Sequence, residues 1–129
     1  MNNKINLKVY GVTTVGPKGQ VIIPKDSREE VKMKVGMDYE LVLIDNMALG
    51  LGMKNSATAK LKTNFSSFQI IGPVSVGSKF QFVIPIRIRQ LLDIKPGDSL
   101  VVIGKSNEGL GFIKNDHIDF LFEYIRKNL

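Results

Sequence analysis

Apolar and polar positions alternate in short runs along most of this chain, and glycine, proline and small polar residues separate the runs. "GVTTV" (11–15) is β-branched and reads as a strand. "GPKG" (16–19) reads as a turn, because glycine reaches positive φ and proline presets its own. "QVIIP" (20–24) is a second strand that stops at Pro24, which has no N–H to give a ladder. Pro24 also suits the first turn of a helix, and "KDSREEVKMKVG" (25–36) follows with Val31 and Val35 at helical spacing. Asp26, Glu29 and Glu30 fall early in that helix, where its N-terminus favours negative charge, and Gly36 is the expected stop. "YELVLI" (39–44) alternates as a strand, "DNMALG" (45–50) turns, and "LGM" (51–53) returns.

The same order recurs over 72–114 as "GPVSV", "GSKF", "QFVIP", "IRIRQLLDIK", "PGDS", "LVVIG", "KSNE" and "GLGFIK". At an offset of 61, residues 11–36 match ten times. The pairs are Gly11/Gly72, Val15/Val76, Gly16/Gly77, Lys18/Lys79, Gln20/Gln81, Ile23/Ile84, Pro24/Pro85, Arg28/Arg89, Lys34/Lys95 and Gly36/Gly97. Further on, "GLGM" (50–53) echoes "GLGF" (109–112) at an offset of 59, which implies that the second copy is two residues shorter between Gly97 and Gly109. A tandem duplication explains this pattern. The expected division is a first repeat at 1–54, a polar linker at 55–70, a second repeat at 71–114 and a C-terminal helix at 115–129. A unit of about 45 residues with one short helix buries too little surface to stand alone. The two copies are therefore expected to pair as an intramolecular dimer.

In the tail "NDHIDFLFEYIRKNL", Asn115 or Asp116 is placed to cap a helix. Ile118, Leu121, Phe122 and Ile125 then form an apolar stripe, widened by Phe120 and Tyr124. That stripe either packs on the duplicated core or serves as an interface with a second chain or a protein partner.

Composition narrows the function. The 129 residues are 43% hydrophobic and 23% charged, with no cysteine, so disulfides and thiolate metal sites are excluded. No run approaches a membrane span and the N-terminus lacks a signal-peptide core, so a cytoplasmic protein is expected. A net charge of +6 favours an anionic partner, nucleic acid first, and the excess is spread evenly along the chain. His117 is the sole histidine, and no phosphate loop of Walker type is present, so no enzyme and no cofactor are expected.

These residues resemble the AbrB family, also called the SpoVT–AbrB or swapped-hairpin domain. Its motif is a strand, then Lys-Gly-Gln and an apolar run ending in Ile-Pro, then a helix with an Ile-Arg pair, then Gly-Ile-Lys-Pro-Gly-Asp and a hairpin. The first copy matches through Lys18, Gly19, Gln20, Val21, Ile23, Pro24, Lys25, Arg28, Lys34 and Gly36. The second matches through Lys79, Gln81, Ile84, Pro85, Ile88, Arg89, Ile94, Lys95, Pro96, Gly97 and Asp98. Val35 and Met37 replace the motif's proline and aspartate in the first copy. Phe80 replaces its glycine in the second, so either that turn differs or Phe80 packs on something. The resemblance implies a mostly β fold with short helices, two β-β-α-β-β units forming a small barrel, and the C-terminal helix added.

The resemblance also implies a DNA-binding transcriptional regulator that grips duplex DNA through basic hairpin tips. The alternative is an antitoxin-like module that binds a toxin or another protein, and a third reading is a scaffold that has lost DNA binding. The candidate DNA contacts are Lys18, Lys79, Lys25, Arg28, Arg87 and Arg89. Each has a plainer alternative: the lysines as solvated turn residues, and Arg28 and Arg89 as ion-pair partners of Asp38 and Asp98. The candidate partner or dimer surface is Ile118, Leu121, Phe122 and Ile125.

Overall fold

The structure, a computed structural model, describes residues 7–53, 67–105 and 109–127. The elements run β1 (Leu7–Thr14), β2 (Gln20–Ile22), α1 (Lys25–Glu30), β3 (Asp38–Ile44), β4 (Ala48–Met53), β5 (Phe68–Ser75), β6 (Gln81–Val83), α2 (Ile86–Leu91), β7 (Ser99–Lys105), β8 (Gly109–Lys114), a 3-10 turn (Asn115–His117) and α3 (Ile118–Lys127). The fold is mostly antiparallel β with a few short helices. Of the expected linker, residues 55–66 lie outside the described residues, as do turn residues 106–108, and β5 already begins at Phe68.

Six strands form one sheet in the order β1-β7-β8-β4-β3-β5, and β2 pairs with β6 in a separate ribbon. The expected barrel does not form. β1 and β5 are the two edges of the sheet and do not pair with each other. The chain that leaves each edge strand instead enters the ribbon, where β2 and β6 use their hydrogen bonds on one another.

The offset of 61 governs every matched strand and helix from β1 to β8, so the shift to 59 and the two-residue deletion inferred from "GLGM" and "GLGF" are corrected. In β4 and β8, Leu49 and Leu51 correspond to Leu110 and Phe112, and all four are buried. The echo arises because Leu-Gly alternation also matches when slipped by two residues, which keeps the same face. Pairing registers obey the same rule. The β3–β5 pairs, Asp38↔Ser75 to Ile44↔Phe68, become the β1–β7 pairs when 61 is added to one residue and subtracted from the other. Both ladders carry a bulge at the same place, with Gly11 at φ 112° and Gly72 at φ 146° following Tyr10 and Ile71.

Strand alternation sends two sets of side chains to opposite faces. Leu41, Leu43, Leu49, Leu51, Leu100, Val102, Leu110 and Phe112 face the main core, closed by Val21 and Phe82 of the ribbon. Phe82 meets Phe112 edge to face at 5.3 Å between ring centroids. On the other face Val42, Ile44, Ala48 and Ile113 are covered by Leu121 of α3, with Ile118, Phe120 and Ile125 packed around them.

The helices after the ribbon are shorter than the pattern predicts. α1 ends at Glu30, so Glu29 and Glu30 lie in its last turn, and Gly36 is not its stop. Lys32 enters the left-handed region at φ 54°, and Met33 N–H donates to Arg28 C=O at 2.8 Å. Asp93 and Ile94 repeat this after α2, with φ 55° and a 2.8 Å bond to Arg89 C=O. Met33 and Ile94 are buried by this Schellman-type end, which explains why each helix stops within two turns. The tail helix begins only at Ile118, so Asn115 and Asp116 lie within the 3-10 turn before it. The Asp116 carboxylate sits 3.7 Å from Lys114 Nζ.

Candidate nucleic-acid interface

The two turns are built alike. Gly16 N–H donates to Gln20 C=O at 2.9 Å and Gly77 N–H to Gln81 C=O at 2.8 Å. The glutamine side chains complete each loop: Gln20 Oε1 accepts from Lys18 N–H at 2.8 Å, and Gln81 Oε1 from Lys79 N–H at 3.0 Å. Each lysine side chain is thereby carried on a closed turn, and both are exposed. The repeated glutamine is a structural part of the site that residue chemistry alone did not single out; its recurrence at a fixed place after the lysine was the available signal.

Phe80 does not alter its turn. It adopts φ 54° where Gly19 has 82°, and Phe80 N–H donates to Gly77 C=O at 2.9 Å just as Gly19 N–H does to Gly16 C=O at 3.0 Å. The turns then cross. Ile23 N–H donates to Phe80 C=O at 2.9 Å, and Ile84 N–H to Gly19 C=O at 3.0 Å. Each tip therefore rests against the helix of the other repeat. Arg28 of α1 lies over the Phe80 ring, 4.4 Å from its centroid. Arg89 of α2 covers Gly19 so closely that a Cβ there would stand 2.6 Å from Arg89 Nε.

Arg28 and Arg89 are half-buried. Arg28 Nε donates to Ile23 C=O at 2.6 Å and Arg89 Nε to Ile84 C=O at 2.9 Å. The pairing expected with Asp38 and Asp98 is not made. Asp38 accepts from Ser75 Oγ at 3.2 Å, and Asp98 stands 3.5 Å from Lys114 Nζ. The crossed packing directs both guanidiniums to the turns rather than to the strand starts. A guanidinium fixed through Nε, with its terminal nitrogens in no hydrogen bond or ion pair among the described residues, is preorganised for an oxyanion.

Lys25 and Arg87 are exposed on α1 and α2. They are not equivalent positions, since 61 relates Lys25 to Ile86 and Asp26 to Arg87. Arg87 lines a shallow cleft of about 140 Å³ with Gln69, Ile70, Ile71, Pro85 and Ile88. At the matching place in the first repeat stands Tyr10, whose ring approaches Gly104 and whose hydroxyl is buried without a hydrogen-bond partner. Burial, then the nearby Glu30 and Asp26 carboxylates, raise the Tyr10 pKa above its ordinary value. The crossed turns thus bring the tip that carries Lys18 against Arg89 and the tip that carries Lys79 against Arg28, while Arg87 lies in the cleft beside Ile70 and Ile71 and Lys25 is exposed at the start of α1.

The candidate partner residues divide differently. Leu121 is buried against the sheet, and Ile118 and Ile125 are half-buried beside it, while Phe122 is 62% exposed. His117 lies in the 3-10 turn with Nδ1 buried and unpartnered. Among the described residues no helix is long and apolar enough to cross a membrane.

No family model matches the chain, and no curated protein matches it. Among solved structures, the chain is similar to the solution structure of PHS018 from Pyrococcus horikoshii, at 21% identity and a TM-score of 0.46 over 83% of this chain and 96% of that one.

Proposed function

We propose that this chain is an AbrB-like, DNA-binding transcriptional regulator in which two swapped-hairpin repeats form an intramolecular pseudo-dimer. The observation that carries the reading is the crossed pair of tips, each an exposed lysine on a closed turn beside an arginine fixed by its own backbone. The shared offset and the matched registers of β1–β7 and β3–β5 support the pseudo-dimer. The unpartnered guanidinium edges support contact with phosphate, and the net charge of +6 supplies long-range attraction. Phosphate contacts would give affinity, and DNA shape or a few base contacts the preference.

A cytoplasmic location follows from this reading. A protein partner on α3 is the second reading, carried by Phe122, an exposed aromatic of that helix. Fluorescence anisotropy of random and genomic duplexes across a salt series tests the first. Binding that weakens steeply with salt, and a slope reduced by about two counterions in Lys18→Ala/Lys79→Ala, is the expected result. Failure of the wild-type chain to bind at low salt removes the regulator reading and turns attention to partners of α3.

A further inference from the structure

The two composite faces differ in charge. α1 carries Lys25 and Arg28 against Asp26, Glu29 and Glu30, a net −1, whereas α2 carries Arg87 and Arg89 with no acid, a net +2. At matching positions Arg87 replaces Asp26, Gln90 replaces Glu29 and Leu91 replaces Glu30. Asp26, Glu29 and Glu30 are exposed, and among the described residues none forms an ion pair. Because the turns cross, this difference falls on the opposite lysine. Lys79, through Phe80 and Arg28, lies beside the acidic helix; Lys18, through Gly19 and Arg89, lies beside the basic one.

Resting on the DNA-binding reading above, we infer that the grip is one-sided. The face of Lys18 and Arg89 is the primary phosphate contact, on the helix that carries no acid, and the face of Lys79 and Arg28 is held weak by the carboxylates of α1. Fields of exposed charges reach about 10 Å at 0.1 M salt, so a phosphate at the second face feels both its cations and these acids. Phe80 adds to the difference. It places a ring under Arg28 where Arg89 has only the bare backbone of Gly19.

Single substitutions at the two tips test this, because both lysines are exposed and neither side chain supports the turn. Binding to one random-sequence duplex is measured at low salt for Lys18→Gln, for Lys79→Gln, and for each in a background of Asp26→Asn/Glu29→Gln/Glu30→Gln. The expected result is that Lys18→Gln weakens binding at least about threefold more than Lys79→Gln. The neutralised background should bind more tightly than wild type and bring the two losses level. Equal losses in the wild-type background, or no gain from neutralising α1, overturn the one-sided grip while leaving DNA binding in place. Absence of wild-type binding overturns the DNA reading itself, and this inference with it.

Discussion

The guanidinium of Arg28 lies 4.4 Å from the centroid of the Phe80 ring, across the boundary between the two repeats. This contact explains why a phenylalanine is kept at φ 54°, a conformation that suits glycine. The ring packs against the main core and beneath a cation, and both gains outweigh the backbone cost.

Phe80→Gly removes the backbone strain, worth about 1 kcal/mol, but loses more in apolar burial and in the cation–π contact. The expected net effect is a loss of about 1–2 kcal/mol in urea unfolding. A more stable variant would mean that the ring contributes less than the strain costs.

Lys32 adopts φ 54° at the end of α1 and is exposed, with no side-chain partner among the described residues. Here strain stands without compensation. Lys32→Gly should raise stability by about 0.5–1 kcal/mol, read as a higher thermal midpoint. Asp93, its counterpart, is a poorer choice, because its carboxylate lies 3.7 Å from Lys114 Nζ.

Tyr10 should govern part of the alkaline stability. Its pKa is raised from 10.0 by burial first and by Glu30 and Asp26 next. A folded pKa above the unfolded one means that the stability is intact below about pH 10 and is lost as pH rises through the folded value. Tyr10→Phe should flatten the pH profile of the urea midpoint above about pH 10. At pH 7 it should also gain about 1 kcal/mol, since the hydroxyl is buried without a partner. An unchanged alkaline slope in the variant would show that another group dominates there.

Lys114 ties the end of β8 to the loop after α2 and to the 3-10 turn. Its ammonium lies 3.5 Å from Asp98 and 3.7 Å from Asp93 and Asp116, with the side chain 11% exposed. Lys114→Met leaves three carboxylates facing one another. Asp93 and Asp116 are largely exposed, so water moderates the cost to about 1–2 kcal/mol. Added salt should recover part of the loss by screening the carboxylates, and chemical denaturation at two ionic strengths reads this directly.

Much of the geometry of the candidate site was legible in order and spacing. Lys18, Lys79, Arg28 and Arg89 stood out because they form two pairs at one offset. The fate of the arginines was not legible: pairing with Asp38 and Asp98 was chemically reasonable, and only the crossing of the turns sends them to Phe80 and Gly19. The end of α1 was misread because the stop was assigned to Gly36, whereas a lysine, which has no special preference for positive φ, takes the left-handed position at Lys32. Its conformation is imposed by burial of Met33 on the far side of the turn. The slipped match of "GLGM" to "GLGF" failed for a different reason. Leu-Gly alternation has a period of two, so one strand matches itself at two registers until its partner strands choose between them.

By itself, the sequence determined the element order, the duplication, the two lysine turns and the apolar stripe of the tail. These follow from local chemistry: where proline stops a ladder, where glycine permits a turn, and which positions repeat. Tertiary structure alone decided that the sheet stays open, that each tip leans on the other repeat's helix, and that Leu121 seals the second face while Phe122 projects outward. Those outcomes depend on contacts between residues far apart in the chain, whose energies are set by packing against partners that a local pattern does not name.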